Sequence, residues 1–302
     1  MNLPVRLINL LLVSGSLWAL TPADVRGNPT QNDLRKAIQT MLGSSLPSNA
    51  VQVREVRTTN EGTAEVSAEI QAVFRARQVD GRWRLSEIRT APDRWEQLAV
   101  IAQALHANLA SGDCDEPSQF VRSASPTALT MKRARCLVAE LLAVTLPSDQ
   151  VRIKDMSLLE LPFSSESSAL IEAFIHADFR FARAARGWHV SEVKTGNREW
   201  TNIENFAAAL NEVKRVNATA DLAAIADALI EFRRERGAFV VSDKESVLID
   251  HLSPRYLTRV IRVDPWHRPY EYEGEQNQFS LRSVGPDGKP GTPDDIVVSG
   301  PR

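Results

Sequence analysis

One pattern runs through this chain twice, and a duplicated pattern commits the chain to a duplicated structure. Leu46-Pro47-Ser48 recurs as Leu146-Pro147-Ser148. Ahead of the first copy, Leu34, Ile38, Met41 and Leu42 fall at the i, i+4, i+7, i+8 spacing of an amphipathic helix. Ala134, Val138, Leu141 and Leu142 repeat that spacing ahead of the second. A strand follows each, residues 51–53 and 151–153. Then Ala64, Val66, Ala68, Ile70, Ala72, Phe74 and Ala76 alternate with mostly polar residues. Ala169, Ile171, Ala173, Ile175, Ala177, Phe179 and Phe181 do the same. Alternation of this length specifies a long antiparallel strand with one buried face. A third strand carries Trp83, Leu85 and Ile88 in one copy and Trp188, Val190 and Val193 in the other. Trp95 and Trp200 recur behind it, and helical IAQAL and FAAAL segments (101–105 and 206–210) close the copies.

Each copy thus reads as a helix, three or four strands and a helix, a layout that resembles the cystatin-like and NTF2-like α+β rolls. The faces expected to point inward hold Ala, Val, Ile and Phe with no ionisable member. An enzyme built on such a sheet would need convergent polar groups there, so we expect no catalysis. His176, Asp178 and His189 fall on the opposite, solvated face, as do the recurring Arg75 and Arg180. Trp83 and Trp188 read as core plugs. The alternative is a small-ligand carrier or enzyme that uses a cavity in the repeats.

The chain's 302 residues, 43% hydrophobic and 25% charged, are ordinary for a folded protein of two or three domains. A net charge of -2 without a long Lys/Arg run gives no argument for nucleic acid, and no nucleic-acid partner is expected. Residues 1–6 hold one cation, residues 7–20 (LINLLLVSGSLWAL) are apolar, and Thr21-Pro22-Ala23 offers small residues for cleavage. This is the layout of a secretory signal, and the run is short for a membrane span. The expected mature protein is exported to a periplasmic or extracellular location and starts near Asp24. An uncleaved N-terminal segment would be its only attachment to a membrane. Cys114 and Cys136 are the two cysteines. They are either a disulfide, worth about 3 kcal/mol in the chain-entropy model, or two independent thiols. The polar stretches 111–127 and 214–220 read as joins.

From Asp221 the texture changes. Leu222, Ile225, Ala226, Leu229 and Phe232 mark a helical face, Gly237 its stop, and residues 245–251 a second short helix. Then come Tyr256-Leu257, Asp264-Pro265-Trp266, Pro269-Tyr270, Tyr272, Phe279, Ser283, Gly285, Asp287-Gly288, Pro290-Gly291 and Asp294-Asp295-Ile296. In this order the motifs resemble the C-terminal globular domain of the type II secretion system protein G, the major pseudopilin. The resemblance covers about 80 residues. It implies a calcium ion in the acidic loop, with carboxylates from Asp287, Asp294 and Asp295 and backbone carbonyls from Val284 and Lys289. The loop chemistry agrees, because calcium takes six to eight hard oxygens, carboxylates mixed with carbonyls. Glycines allow the curl, and Pro290 and Pro293 limit the entropy lost in making it. A solvated turn without metal is the other reading of such a loop. Two departures stand out. His267-Arg268 replaces the family's usual Gly-Asn, a bulk expected to alter corner packing and leave the loop untouched. Upstream, two α+β units stand where a pseudopilin has its long apolar helix, so filament assembly through that helix is not expected.

The expected fold class is α+β: two tandem helix-plus-antiparallel-meander units followed by a pseudopilin-like helix-plus-small-sheet domain. The expected boundaries are a signal at 1–23, repeats at 24–112 and 113–219, and the pseudopilin-like domain at 220–302. The expected role is that of a non-enzymatic binding or structural protein stabilised by calcium. Its protein partners are expected in the secretion machinery or cell envelope.

Overall fold

In a computed structural model of the protein, the described residues are 29–60, 62–105, 114, 128–142, 150–159, 167–184 and 187–301. The expected signal segment, Leu146-Pro147-Ser148 and all of the 111–127 join except Cys114 lie outside them. The chain divides into two compact units, one ending at Leu210 and the other beginning at Asn211. Helices and antiparallel sheets together make the fold α+β.

The first unit holds both repeats. α1 (Gln31–Gln39) starts at Thr30, whose hydroxyl accepts from the Asp33 N–H at 3.2 Å while Asp33 Oδ2 accepts from the Thr30 N–H at 3.2 Å, a reciprocal cap. α1 stops at Gln39, so Leu42, expected on its apolar face, lies past its end at φ +54°. In the second copy α3 (Met131–Leu141) is capped by Thr130 and buries Ala134 and Val138. The strands are β1 (Val51–Asn60), β2 (Thr63–Val79), β3 (Arg82–Ala91) and β4 (Arg94–Gln97), with α2 (Leu98–Ala104) behind them. Their counterparts are β5 (Val151–Leu159), β6 (Ser168–Ala184), β7 (Gly187–Thr195) and β8 (Thr201–Asn202).

The two meanders share one eight-stranded sheet, ordered β4-β3-β2-β6-β7-β8, with β1 on β2 and β5 on β6. β2 and β6 pair antiparallel from Thr63↔Ala182 to Arg77↔Ser168, and at the centre Ile70 faces Ile175. β1 and β3 follow one another along the other edge of β2, as β5 and β7 do along β6. The helices cross between copies: α1 packs on β1 and β7, and α3 on β5, β6 and β3. Between the helices and the sheet lie Ala64 to Ala76 and Ala169 to Phe181, the alternating residues, at 3% exposure or less. Trp83 is buried, whereas Trp188 is half-buried and only partly fills a core position. Cys114 and Cys136 form a disulfide with a Cα–Cα separation of 5.7 Å.

α4 (Ile203–Arg236) corrects one boundary. Residues 214–220 are not a join but lie inside this helix. No Pro or Gly interrupts it, and the Thr219 hydroxyl donates to the Arg215 carbonyl at 2.9 Å, so its polar group is satisfied without leaving the helix. The division between units falls upstream of the expected one, between Leu210 and Asn211. α4 ends at Gly237, φ +84°, whose N–H reaches the Arg233 carbonyl at 2.7 Å.

In the second unit α5 (Glu245–Leu252) precedes a small sheet of β9 (Glu271–Gly274), β10 (Phe279–Ser283) and β11 (Ile296–Ser299), ordered β11-β10-β9. Leu222 and Leu229 of α4, Leu252 of α5, Tyr272 of β9 and Leu281 of β10 belong to its core. That core supports the hairpin that presents the acidic loop.

Candidate metal centre

β10 and β11 pair as far as Ser283↔Ile296, so residues 284–295 form the connection between two hydrogen-bonded strands. Gly285, Gly288 and Gly291 have φ of +61°, +69° and +84°, a region that L side chains avoid. Gly285 is doubly required, because a Cβ there would also collide with the Asp294 backbone and lie 2.7 Å from Asp294 Oδ2.

The carboxylates first organise the loop itself. Asp287 Oδ1 accepts from the Lys289 N–H at 2.8 Å, Asp294 Oδ2 from the Asp287 N–H at 3.1 Å, and Asp295 Oδ2 from the Gly291 N–H at 2.8 Å. These bonds turn all three acids toward one hydroxyl, that of Thr292. Its Oγ1 lies 2.6 Å from Asp294 Oδ1, 3.0 Å from the Lys289 carbonyl, 3.4 Å from Asp287 Oδ1 and 3.5 Å from Asp295 Oδ1. A hydroxyl has one proton to donate, so four acceptors around it exceed what it can satisfy. The surplus is a knot of hard oxygens: carboxylates, a carbonyl and a hydroxyl.

Burial pushes the Asp294 carboxyl up. The Thr292 hydroxyl, the N–H groups of Asp287 and of Asp294 itself, and the Arg268 guanidinium outweigh that and hold it below the usual aspartate range. Asp295 also faces Arg282, whose Nη1 is 3.8 Å from its Oδ2. The donor set fits a hard cation such as calcium in kind. The carboxylates stop short of a closed cage, since no group of three or more acids, imidazoles or thiols stands at metal-holding distance among the described residues. Of the two expected carbonyls, that of Lys289 reaches the knot through Thr292, whereas that of Val284 is not among the partners of Thr292. Thr292 itself escaped the sequence reading, because a lone threonine between proline-rich turns looks like filler.

A second motif buttresses the loop. Asp264, 2% exposed, accepts from the N–H groups of Trp266 and Arg268 on Oδ1, both at 2.9 Å, and from the Ser283 hydroxyl on Oδ2 at 2.6 Å. The Trp266 indole donates to Asn211 Oδ1 of α4 at 2.9 Å. His267 sits at φ +66°, the left-handed conformation that glycine takes without cost. The expectation that His267-Arg268 leaves the loop untouched is corrected. Arg268 donates to the carbonyls of Gly285 and of Pro286, the latter at 3.3 Å. A side chain long enough to leave the corner reaches acceptors that a short one could not.

In the first unit Ser67 Oγ lies 3.0 Å from both His176 Nε2 and Asp178 Oδ1. This is no catalytic triad. Asp178 Oδ1 approaches the same Nε2, at 3.5 Å, whereas an orienting acid must hold Nδ1. A cavity of about 290 Å³ is lined by Ser45, Leu46, Gln71, Val73, Arg89 and Pro92, among others. Gln71 and Val73 belong to the sheet face opposite the alternating core residues, and Arg89 is the ionisable group of the lining.

Residues 205–299 match the family of the type II secretion system (T2SS), protein G. The C-terminal domain is therefore pseudopilin-like. The match includes α4 from its first turn, the Asp264 turn and the whole acidic loop. No curated protein and no solved structure matches the chain.

Proposed function

We propose that this is an exported, non-enzymatic binding or structural protein whose pseudopilin-like domain is stabilised by calcium. Its partners are proteins of the type II secretion machinery or the cell envelope. The convergence of Asp287, Asp294, Asp295 and the Lys289 carbonyl on the Thr292 hydroxyl carries the metal part of the reading. A divalent cation drawn into this knot would replace weak mutual bonds with metal–oxygen bonds and remove the repulsion among three like charges. Binding to the folded state alone stabilises it, by about 2.7 kcal/mol at a hundredfold excess over Kd. Among the described residues no helix is long and apolar enough to cross a membrane.

The test is thermal unfolding of the full chain in calcium and in chelator. Calcium should raise Tm by several degrees, and an Asp294→Ala, Asp295→Ala double variant should lose that increment. Equal melting in calcium and chelator would remove the metal from the reading.

A second reading, a small-ligand carrier, draws on the cavity beside Arg89. A guanidinium among polar and apolar groups, Ser45 and Gln71 beside Leu46 and Val73, suits a small carboxylate, so an Arg89→Ala-sensitive chemical-shift response to short-chain carboxylates would favour it.

A further inference from the structure

Arg268 belongs to the corner after Trp266, yet its head lies in the acidic loop. Both ends of the residue are fixed. Its N–H is held by Asp264 Oδ1 at 2.9 Å, and its guanidinium by the carbonyls of Gly285 and Pro286. A Cβ at Gly288 would fall 2.6 Å from the guanidinium carbon, so the loop backbone wraps closely over this cation. The limb it grips leans on the opposite limb, through the Asp287 N–H on Asp294 Oδ2 and the close passage of Gly285 past the Asp294 backbone.

A fixed cation on the loop limb that carries Asp287 and leans on Asp294 has two effects of opposite sign on the loop carboxylates. It offsets their mutual repulsion while no metal is bound, and it repels a divalent ion that enters. We propose that Arg268 is the loop's built-in counter-cation, a positioning residue that keeps the loop folded without calcium and weakens its affinity for calcium. This inference rests on the calcium reading of the loop.

The test uses the full chain and three variants: Arg268→Gln, which keeps donors and loses charge; Arg268→Lys, which keeps charge and loses the fork; and Asp294→Ala as the site control. Calcium Kd is read by calorimetry, and Tm in calcium and in chelator. Arg268→Gln should lower Tm in chelator, bind calcium roughly three- to tenfold more tightly, and show a larger calcium-induced rise in Tm than the wild type. Arg268→Lys should keep a near wild-type Kd. A loss of Tm that is equal in calcium and chelator, with Kd unchanged, would make Arg268 a packing residue and overturn this inference alone. If the wild type shows no calcium binding, the calcium reading fails and takes this inference with it. Should Arg268→Gln fail to fold in chelator, recovery on adding calcium supports the inference and failure to recover overturns it.

Discussion

Asp294 accepts from the Thr292 hydroxyl and the Asp287 N–H, and its environment makes a pH prediction. Burial raises its pKa, but the Thr292 hydroxyl, two backbone N–H groups and Arg268 lower it further, so the folded pKa lies below the unfolded one. A depressed carboxylate contributes stability that is fully present above its unfolded pKa, about 3.9. That contribution is lost as the pH falls through the folded value. In chelator, the stability of the wild type should therefore fall more steeply below about pH 4 than that of Asp294→Asn. Superimposable acid limbs in urea titrations would show that Asp294 does not carry this term. That the three aspartates share one loop was legible, because Asp287, Asp294 and Asp295 fall within a single Gly/Pro-rich stretch. Thr292 and Arg268 were not. One is an ordinary loop residue whose role is purely positional, and the other reaches the loop from the Asp264 turn, a separation that no local spacing rule spans.

At the scale of elements, the duplication preserves a device as well as a pattern. The β2–β3 register slips between Arg75 and Ala76, and the β6–β7 register between Arg180 and Phe181. At each slip a serine from the neighbouring strand, Ser86 or Ser191, donates to the arginine's carbonyl at 3.1 Å. Each irregularity re-aims an arginine over a tryptophan, Arg75 over Trp95 at 4.3 Å and Arg180 over Trp200 at 4.0 Å. Glu87 and Glu192 pair with these same arginines. The recurrence of each residue was readable. Their stacking was not, because the slip that brings them together has no sequence signature. Arg180→Met should cost about 1 kcal/mol, small because the side chain is 40% exposed. The expected readout is a lower urea midpoint at unchanged m-value. A loss above about 3 kcal/mol would mean that the bulge itself had collapsed.

For the whole molecule, the central fact is where the two copies meet. Trp83 and Trp188, and Trp95 and Trp200, are both 105 positions apart, and so are Ile70 and Ile175, which face each other across β2 and β6. A residue paired with its own repeat equivalent marks a local pseudo-twofold axis, so the duplication builds within one chain what an isologous dimer builds from two. Alternation in the sequence specified a buried face for each long strand but not which strand would lie beside it, since central and edge strands can alternate alike. The long strands of 17 residues settle it physically. Each has its own short hairpin partners in series along one edge, leaving a full unpaired edge that the other copy covers. Ile70 and Ile175 are both fully buried at this centre. Each replaced singly by alanine should cost about 2–5 kcal/mol. Because the two side chains share one face and one local environment, the double variant should lose less than the sum, with a coupling of about 0.5–3 kcal/mol. Strict additivity in chemical denaturation would show that the two isoleucines do not share a packing site, and the copies would then have to meet in another register.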